Sequence, residues 1–154
     1  MPLQPVDFMN QALEAARKAG EIGDVPVGAV IARNGEILAV AHNEKEALKL
    51  PSCHAEMLAI ERAALKLDRW RLIDCDLYVT LEPCIMCAGA IIQARLRSVT
   101  YGAKDTKGGA VESLYQVLSD ERLNHRPLIT SGLMEKECSE ILSNFFAARR
   151  ESKS

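Results

Sequence analysis

The stretch from residue 27 to residue 101 constrains the fold most, because its apolar pattern changes in a fixed order. Residues 27–32 read as a buried strand, Asn34-Gly35 as a tight turn and residues 37–41 as the returning strand. Asn-Gly between two apolar runs is a strong hairpin signal. A polar loop over residues 43–53, holding Pro51, comes next. Residues 56–67 are rich in Ala, Leu, Glu and Lys and predict a helix. Residues 77–81 predict a strand. A helix follows from Pro83, which a first helical turn tolerates, to about Ala94, and residues 98–101 predict another strand. Strand, helix, strand, helix, strand in short succession implies parallel neighbours joined by right-handed crossovers. With the hairpin in front, the expectation is an α/β fold: a mixed sheet with helices packed on its faces.

The flanks are consistent with one domain over residues 1–154. Asp7 is placed to cap a first helix running to about Ile22, with Met9, Ala12, Leu13, Ala16 and Ala19 as its apolar stripe. Gly23 then stops it. Lys107-Gly108-Gly109 marks a loop, residues 112–118 a short helix, 128–130 a short strand and 134–150 a C-terminal helix, with 151–154 a frayed tail. Trp70, the sole tryptophan, is expected to pack behind the second helix. Hydrophobic residues at 48% and charged residues at 26% fit a soluble globular chain. Nothing approaches the run of about 20 apolar residues that a membrane helix needs, and no secretory signal is visible, so the expectation is a cytoplasmic protein with no membrane partner. A net charge of −2 argues against an overall nucleic-acid coat. It leaves open both a local basic patch and small-molecule substrates.

There are five cysteines, an odd count with no signal peptide, so metal or redox use outweighs a disulfide framework. Cys84 and Cys87 are three apart, which on a helix puts them about 60° apart on one face. The positive end of the helix dipole favours their thiolates, the form that binds zinc. His54 and Glu56 are two apart and would diverge inside a regular helix. They share a pocket only if His54 stands at or just before the helix mouth, which is the expected geometry. Both helix N-termini would then lie on one edge of the sheet, the usual ligand edge. Three protein ligands with an open fourth position suit a catalytic zinc better than a structural one. Cys53 is the rival fourth ligand, although neighbours in sequence rarely converge on one tetrahedral metal. A lone Cys-x-x-Cys is also compatible with a redox pair. Cys75 and Cys138 read as core thiols, and His42 and His125 as ordinary polar contacts.

His-x-Glu followed by Pro-Cys-x-x-Cys is the signature of the cytidine and nucleobase deaminase superfamily, and the chain resembles it at His54-Ala55-Glu56 and residues 83–87. The resemblance implies a three-layer α/β/α cytidine-deaminase-like fold with a five-stranded mixed sheet, and a single deaminase domain. It implies a Zn2+ cofactor that lowers the pKa of water, with Glu56 moving protons to the ring and the leaving amine. Longer stretches ("DVPVGAVI", His42-Asn43, "CHAEMLAI", "RLIDCDLYVTLEPCIMCAGAI", "YGAKDTKGG", "LNHR" and "SNFFAARR") are similar to those of the bacterial tRNA adenosine deaminases. "LNHR" and "FFAARR" point to that branch. The resemblance implies conversion of a wobble adenosine to inosine in a tRNA anticodon stem-loop, by a homodimer whose RNA surface draws on both subunits. It implies that Asn43 contacts the nucleoside, that Asp105 contacts RNA beside the flipped base, and that Phe145, Phe146 and Arg149 border the RNA groove.

Plainer roles stand beside these. Asn43 can cap a turn, Asp105 can pair with Lys104 or Lys107, the phenylalanines can be core with only one of them exposed, and Arg149 and Arg150 can finish a solvated helix. The core motifs are shared with cytosine, guanine and deoxycytidylate deaminases, so a free-base or nucleotide deaminase is the alternative, and a non-catalytic zinc protein that binds RNA is a third.

Overall fold

A computed structural model of the chain describes residues 3–152. Helix α1 (Pro5–Glu21) leads into the hairpin β1 (Gly28–Arg33) and β2 (Glu36–His42). A one-turn helix α2 (Lys45–Leu48) precedes α3 (Ala55–Leu67), β3 (Asp76–Leu81), α4 (Ile85–Ala94) and β4 (Ser98–Ala103). A 3-10 turn (Val117–Ser119), β5 (Leu128–Ser131) and α5 (Glu135–Ser152) complete it. The sheet order is β2-β1-β3-β4-β5. Strand β1 runs antiparallel to both β2 and β3, whereas β3, β4 and β5 are parallel. This is the five-stranded mixed sheet expected from the sequence. No helix of the described residues is long and apolar enough to cross a membrane.

Strand alternation sorts the core into two layers. Ala29 and Ile31 of β1 and Leu77 and Val79 of β3 face α3 and α4, joining Ala55, Ala59, Ala63, Ala88 and Ile91. Val30, Ala32 and Tyr78 point to the opposite face, where Phe8, Met9, Ala12 and Leu13 of α1 and Cys138 of α5 cover them. The alanine face of α1 lets it press against β1: a Cβ on Gly28 would lie 1.8 Å from the Ala12 carbonyl oxygen and 2.7 Å from the Ala16 nitrogen. The Asn34-Gly35 turn has φ of 51° and 79°, the two left-handed residues that a tight hairpin requires.

Several expectations are corrected. Strand β1, not β2, neighbours β3, so the crossover through α3 skips one strand. Helix α1 starts two residues before Asp7: Gln4 is the N-cap, and Asp7 closes the capping box from the third position, with its carboxylate accepting from the Gln4 N–H at 2.8 Å. Pro83 lies outside α4, whose N-cap is Cys84. Residues 112–116 form turns rather than a helix, and only Val117 and Leu118 enter the 3-10 turn; the Val117 N–H donates to the Ala110 carbonyl and not to Ser113, as an α-helix would require. Trp70 is 58% exposed, with the Arg71 guanidinium 4.7 Å over its ring. Glu151 and Ser152 continue α5, so the expected tail is shorter; residues 153–154 lie outside the described residues.

Gly28→Ala is expected to destabilise the protein by about 1–3 kcal/mol, because a methyl group there overpacks onto backbone atoms that cannot rotate away. The check is the urea midpoint, which should fall while the slope stays constant; an unchanged midpoint would show that α1 can shift freely off β1.

Candidate active site

Strand β1 separates β2 from β3 and opposes both, so β2 and β3 run in the same direction. The chains leaving them therefore emerge on one edge, and α3 and α4 both begin there. His54 is the N-cap of α3, in extended backbone (φ −78°, ψ 152°). This places its ring ahead of the helix, so that Glu56, in the first turn, shares its pocket. Cys84 is likewise the extended N-cap of α4 (φ −77°, ψ 178°), and Cys87 follows in the first turn. The Asn43 side chain fixes the first mouth: its Oδ1 accepts the Ala55 N–H at 2.8 Å.

His54 Nδ1 lies 3.6 Å from the Cys84 sulfur and 3.6 Å from the Cys87 sulfur. The ligand atoms of these three residues all fall within 4.8 Å of one another. Zinc bound tetrahedrally, with Zn–S of about 2.3 Å and Zn–N of about 2.0–2.1 Å, requires an N···S separation of about 3.6 Å. The donor set and its spacing therefore fit zinc. Cys53 is buried but stands outside the group.

The electrostatics agree with a cation site. The Cys84 thiol is pulled down to about 3, first by its bond from the Cys87 thiol and then by His54, against the effect of burial. Cys87 is pushed up by the same bond to Cys84 and by burial. The pair thus favours the thiolate at Cys84, and a bound cation would make the second thiolate favourable. His54 is raised chiefly by its bond to Cys84, which outweighs burial, and further by Glu56. Elsewhere burial pushes Cys75 up to about 11 and Cys138 up to about 12, as inert core thiols require. Glu56 is 4% exposed, and burial raises its carboxyl above the usual range. Burial therefore favours the protonated form of this group.

His54, Glu56 and Cys84 line a cavity of about 200 Å³. That is smaller than the roughly 300–1,000 Å³ of drug-sized pockets, and suits a single ring system. Asn43, Asp105 and Arg149 line it together with His54, Glu56 and Cys84. Asn43 therefore caps a helix and faces the cavity at once. Asp105 pairs with backbone rather than with the lysine side chains: its Oδ1 accepts the N–H groups of Lys107 at 3.0 Å and Gly108 at 3.1 Å. Phe146 is 41% exposed and lines an adjoining groove that shares Val25, Leu81 and Asp105 with the cavity. Phe145 lines neither; it lies edge-on to Phe146 and carries the Arg149 guanidinium 5.0 Å over its ring.

Sequence reasoning missed two buried carboxylates that line the cavity, Asp24 and Glu82, each 1% exposed. Asp24 accepts the N–H groups of Glu46 at 3.0 Å and Ala47 at 3.2 Å, pinning α2 and bringing Lys45 and Glu46 to the rim. Burial pushes the Glu82 carboxyl up, but hydrogen bonds from Glu112, Ser113 and Asp105 outweigh it and hold the group below the usual range. The visible signal was an acidic residue at the head of one apolar run, "DVPVGAVI", and near the end of another, "YVTLEPC".

Cys87→Ala is expected to abolish stoichiometric zinc binding, whereas Cys53→Ala keeps one zinc per chain. Metal analysis of the purified variants decides, and loss of zinc from Cys53→Ala would restore that thiol as a ligand.

The chain matches the family model described as MafB19-like deaminase over residues 4–150. It is 48% identical to the tRNA-specific adenosine deaminase of Bacillus subtilis (strain 168), over 95% of this chain and 91% of that one. A solved structure from work on A-to-I editing by tRNA:A34 deaminases at the wobble position is 48% identical, with a TM-score of 0.86 over 88% of this chain and 99% of that one. The solved guanine deaminase of Bacillus subtilis is 32% identical, with a TM-score of 0.65 over 96% of this chain and 95% of that one. The chain therefore belongs to the deaminase family, in the group whose members are tRNA-specific adenosine deaminases.

Proposed function

We propose that the protein hydrolyses the wobble adenosine of a tRNA anticodon stem-loop to inosine and ammonia, with His54, Cys84 and Cys87 holding zinc and Glu56 moving the protons. The observation that carries this reading is the buried Glu56 beside a three-donor metal group, lining a cavity sized for one base. Zinc bound there supplies a Lewis acid that makes water acidic near neutral pH. Glu56 accepts the proton released from water, delivers a proton to ring N1 and passes a further one to the departing amine. Asn43 Oδ1 is engaged by Ala55, which leaves the amide donor as the group offered to the nucleoside. Asp105 forms part of the wall beside the flipped base, Phe146 lines the groove along which RNA approaches, and Arg149, stacked over the Phe145 ring, reaches the cavity itself.

A homodimer in the cytoplasm belongs to the same reading. An apolar groove between α3 and α4, lined by Ile60, Ala64, Trp70, Ala90 and Ala94, supplies surface for a second copy to cover. The guanine deaminase likeness favours free-base turnover as the second reading. It places the same chemistry on a substrate that needs no groove.

Glu56→Ala is expected to keep its zinc and to lose about 10²–10⁴-fold in inosine formation on a stem-loop. The same assay includes guanine, cytosine and free adenosine. Turnover of a free base alone would replace the tRNA reading, and wild-type activity in Glu56→Ala would remove the assigned proton carrier.

A further inference from the structure

Glu82 is a buried carboxylate at the cavity to which the deamination chemistry gives no task. It sits between the end of β3 and Pro83, and its five hydrogen bonds come from one loop, residues 105–113. Oε1 accepts the Asp105 N–H at 3.1 Å and the Ser113 hydroxyl at 2.5 Å. Oε2 accepts the N–H groups of Val111 at 3.1 Å, Glu112 at 2.9 Å and Ser113 at 2.9 Å. Gly109 is pressed against the carboxylate: a Cβ there would lie 2.3–2.5 Å from its atoms. The same loop grips the other side of the turn. The Ala110 N–H donates to the Pro83 carbonyl at 2.9 Å, and Gly109 forms a strand-like bridge with Cys84.

Five donors and no acceptor converge on this group, so only an anion satisfies them all. A carboxylate buried at this depth is costly unless so satisfied. The effect is mechanical. One side chain joins the loop that carries Asp105 to the turn that carries Cys84, and all three residues line the cavity.

We propose that Glu82 is a positioning residue for deamination: it sets the distance between the Asp105 wall and the metal-ligand turn, and acts on the substrate through Asp105. This rests on the reading above that Asp105 meets RNA beside the target base.

The test uses the zinc-loaded full chain and an anticodon stem-loop, with kcat, KM and zinc content measured for Glu82→Gln, Gly109→Ala and Ser113→Ala. Glu82→Gln keeps the shape but turns one acceptor into a donor facing other donors. Glu82→Gln and Gly109→Ala are expected to raise KM about tenfold or more with zinc retained, and Ser113→Ala, which removes one bond of five, about threefold. In an Asp105→Ala background, Ser113→Ala and Glu82→Gln should add little further, because the route to substrate is already cut. Unchanged KM with only a lowered melting temperature, or effects that add fully to Asp105→Ala, would overturn the proposal. If Glu82→Gln fails to fold, the Ser113→Ala cycle decides the same point. A wild-type chain that forms no inosine defeats the substrate reading instead, and is told apart by that control.

Discussion

Everything at the site depends on the direction of two strands. Because β1 opposes both β2 and β3, the chain leaves β2 and β3 on the same edge of the sheet. The two helices that follow open side by side there, each with an N-cap in extended backbone, His54 and Cys84. An N-cap side chain projects ahead of its helix, whereas a first-turn side chain lies beside it. Each mouth therefore contributes one of each, His54 with Glu56 and Cys84 with Cys87, and all four converge. The helix dipoles add partial positive charge where thiolates and a carboxylate gather.

Around this convergence, buried polar side chains hold irregular backbone still. Asn43 ties the β2 exit to α3, Asp24 ties α2 to the loop before β1, and Glu82 ties the 105–113 loop to the β3 exit. Each is an acceptor that gathers backbone N–H groups which no strand or helix satisfies. Loops of this kind keep their shape without an apolar core of their own. That matters where the cavity wall has to face a polar base. The opposite face of the sheet is built differently, by the close fit of the α1 alanines over Gly28.

The hairpin, the long helices and the three parallel strands were legible because each has its own apolar period or turn chemistry. The order of strands was not: that β1 stands between β2 and β3 depends on which edges pair, and no local pattern encodes it. The start of α1 was misplaced because Gln4 and Asp7 cap reciprocally, and Asp7 alone looks like the cap. The expected helix at residues 112–118 is not formed because the Val117 N–H donates to the Ala110 carbonyl and not to Ser113, a pairing set by the loop around Glu82. At the site, His54, Glu56, Cys84 and Cys87 stood out by residue type and spacing. Asp24 and Glu82 did not, since a lone acidic residue in an apolar run reveals its partners only after folding. A helix turns adjacent residues by about 100°, so Phe145 and Phe146 face different surroundings, and only Phe146 reaches the groove, in line with the plainer expectation that one of them is exposed.

If the two helix mouths form one metal centre, its donor set is fixed at two thiolates and one imidazole. X-ray absorption at the zinc edge, measured on the zinc-loaded chain, tests this most directly. The expected spectrum contains two sulfur neighbours at about 2.3 Å and one imidazole nitrogen at about 2.0–2.1 Å. Three or four sulfurs, or a shell without sulfur, would contradict it.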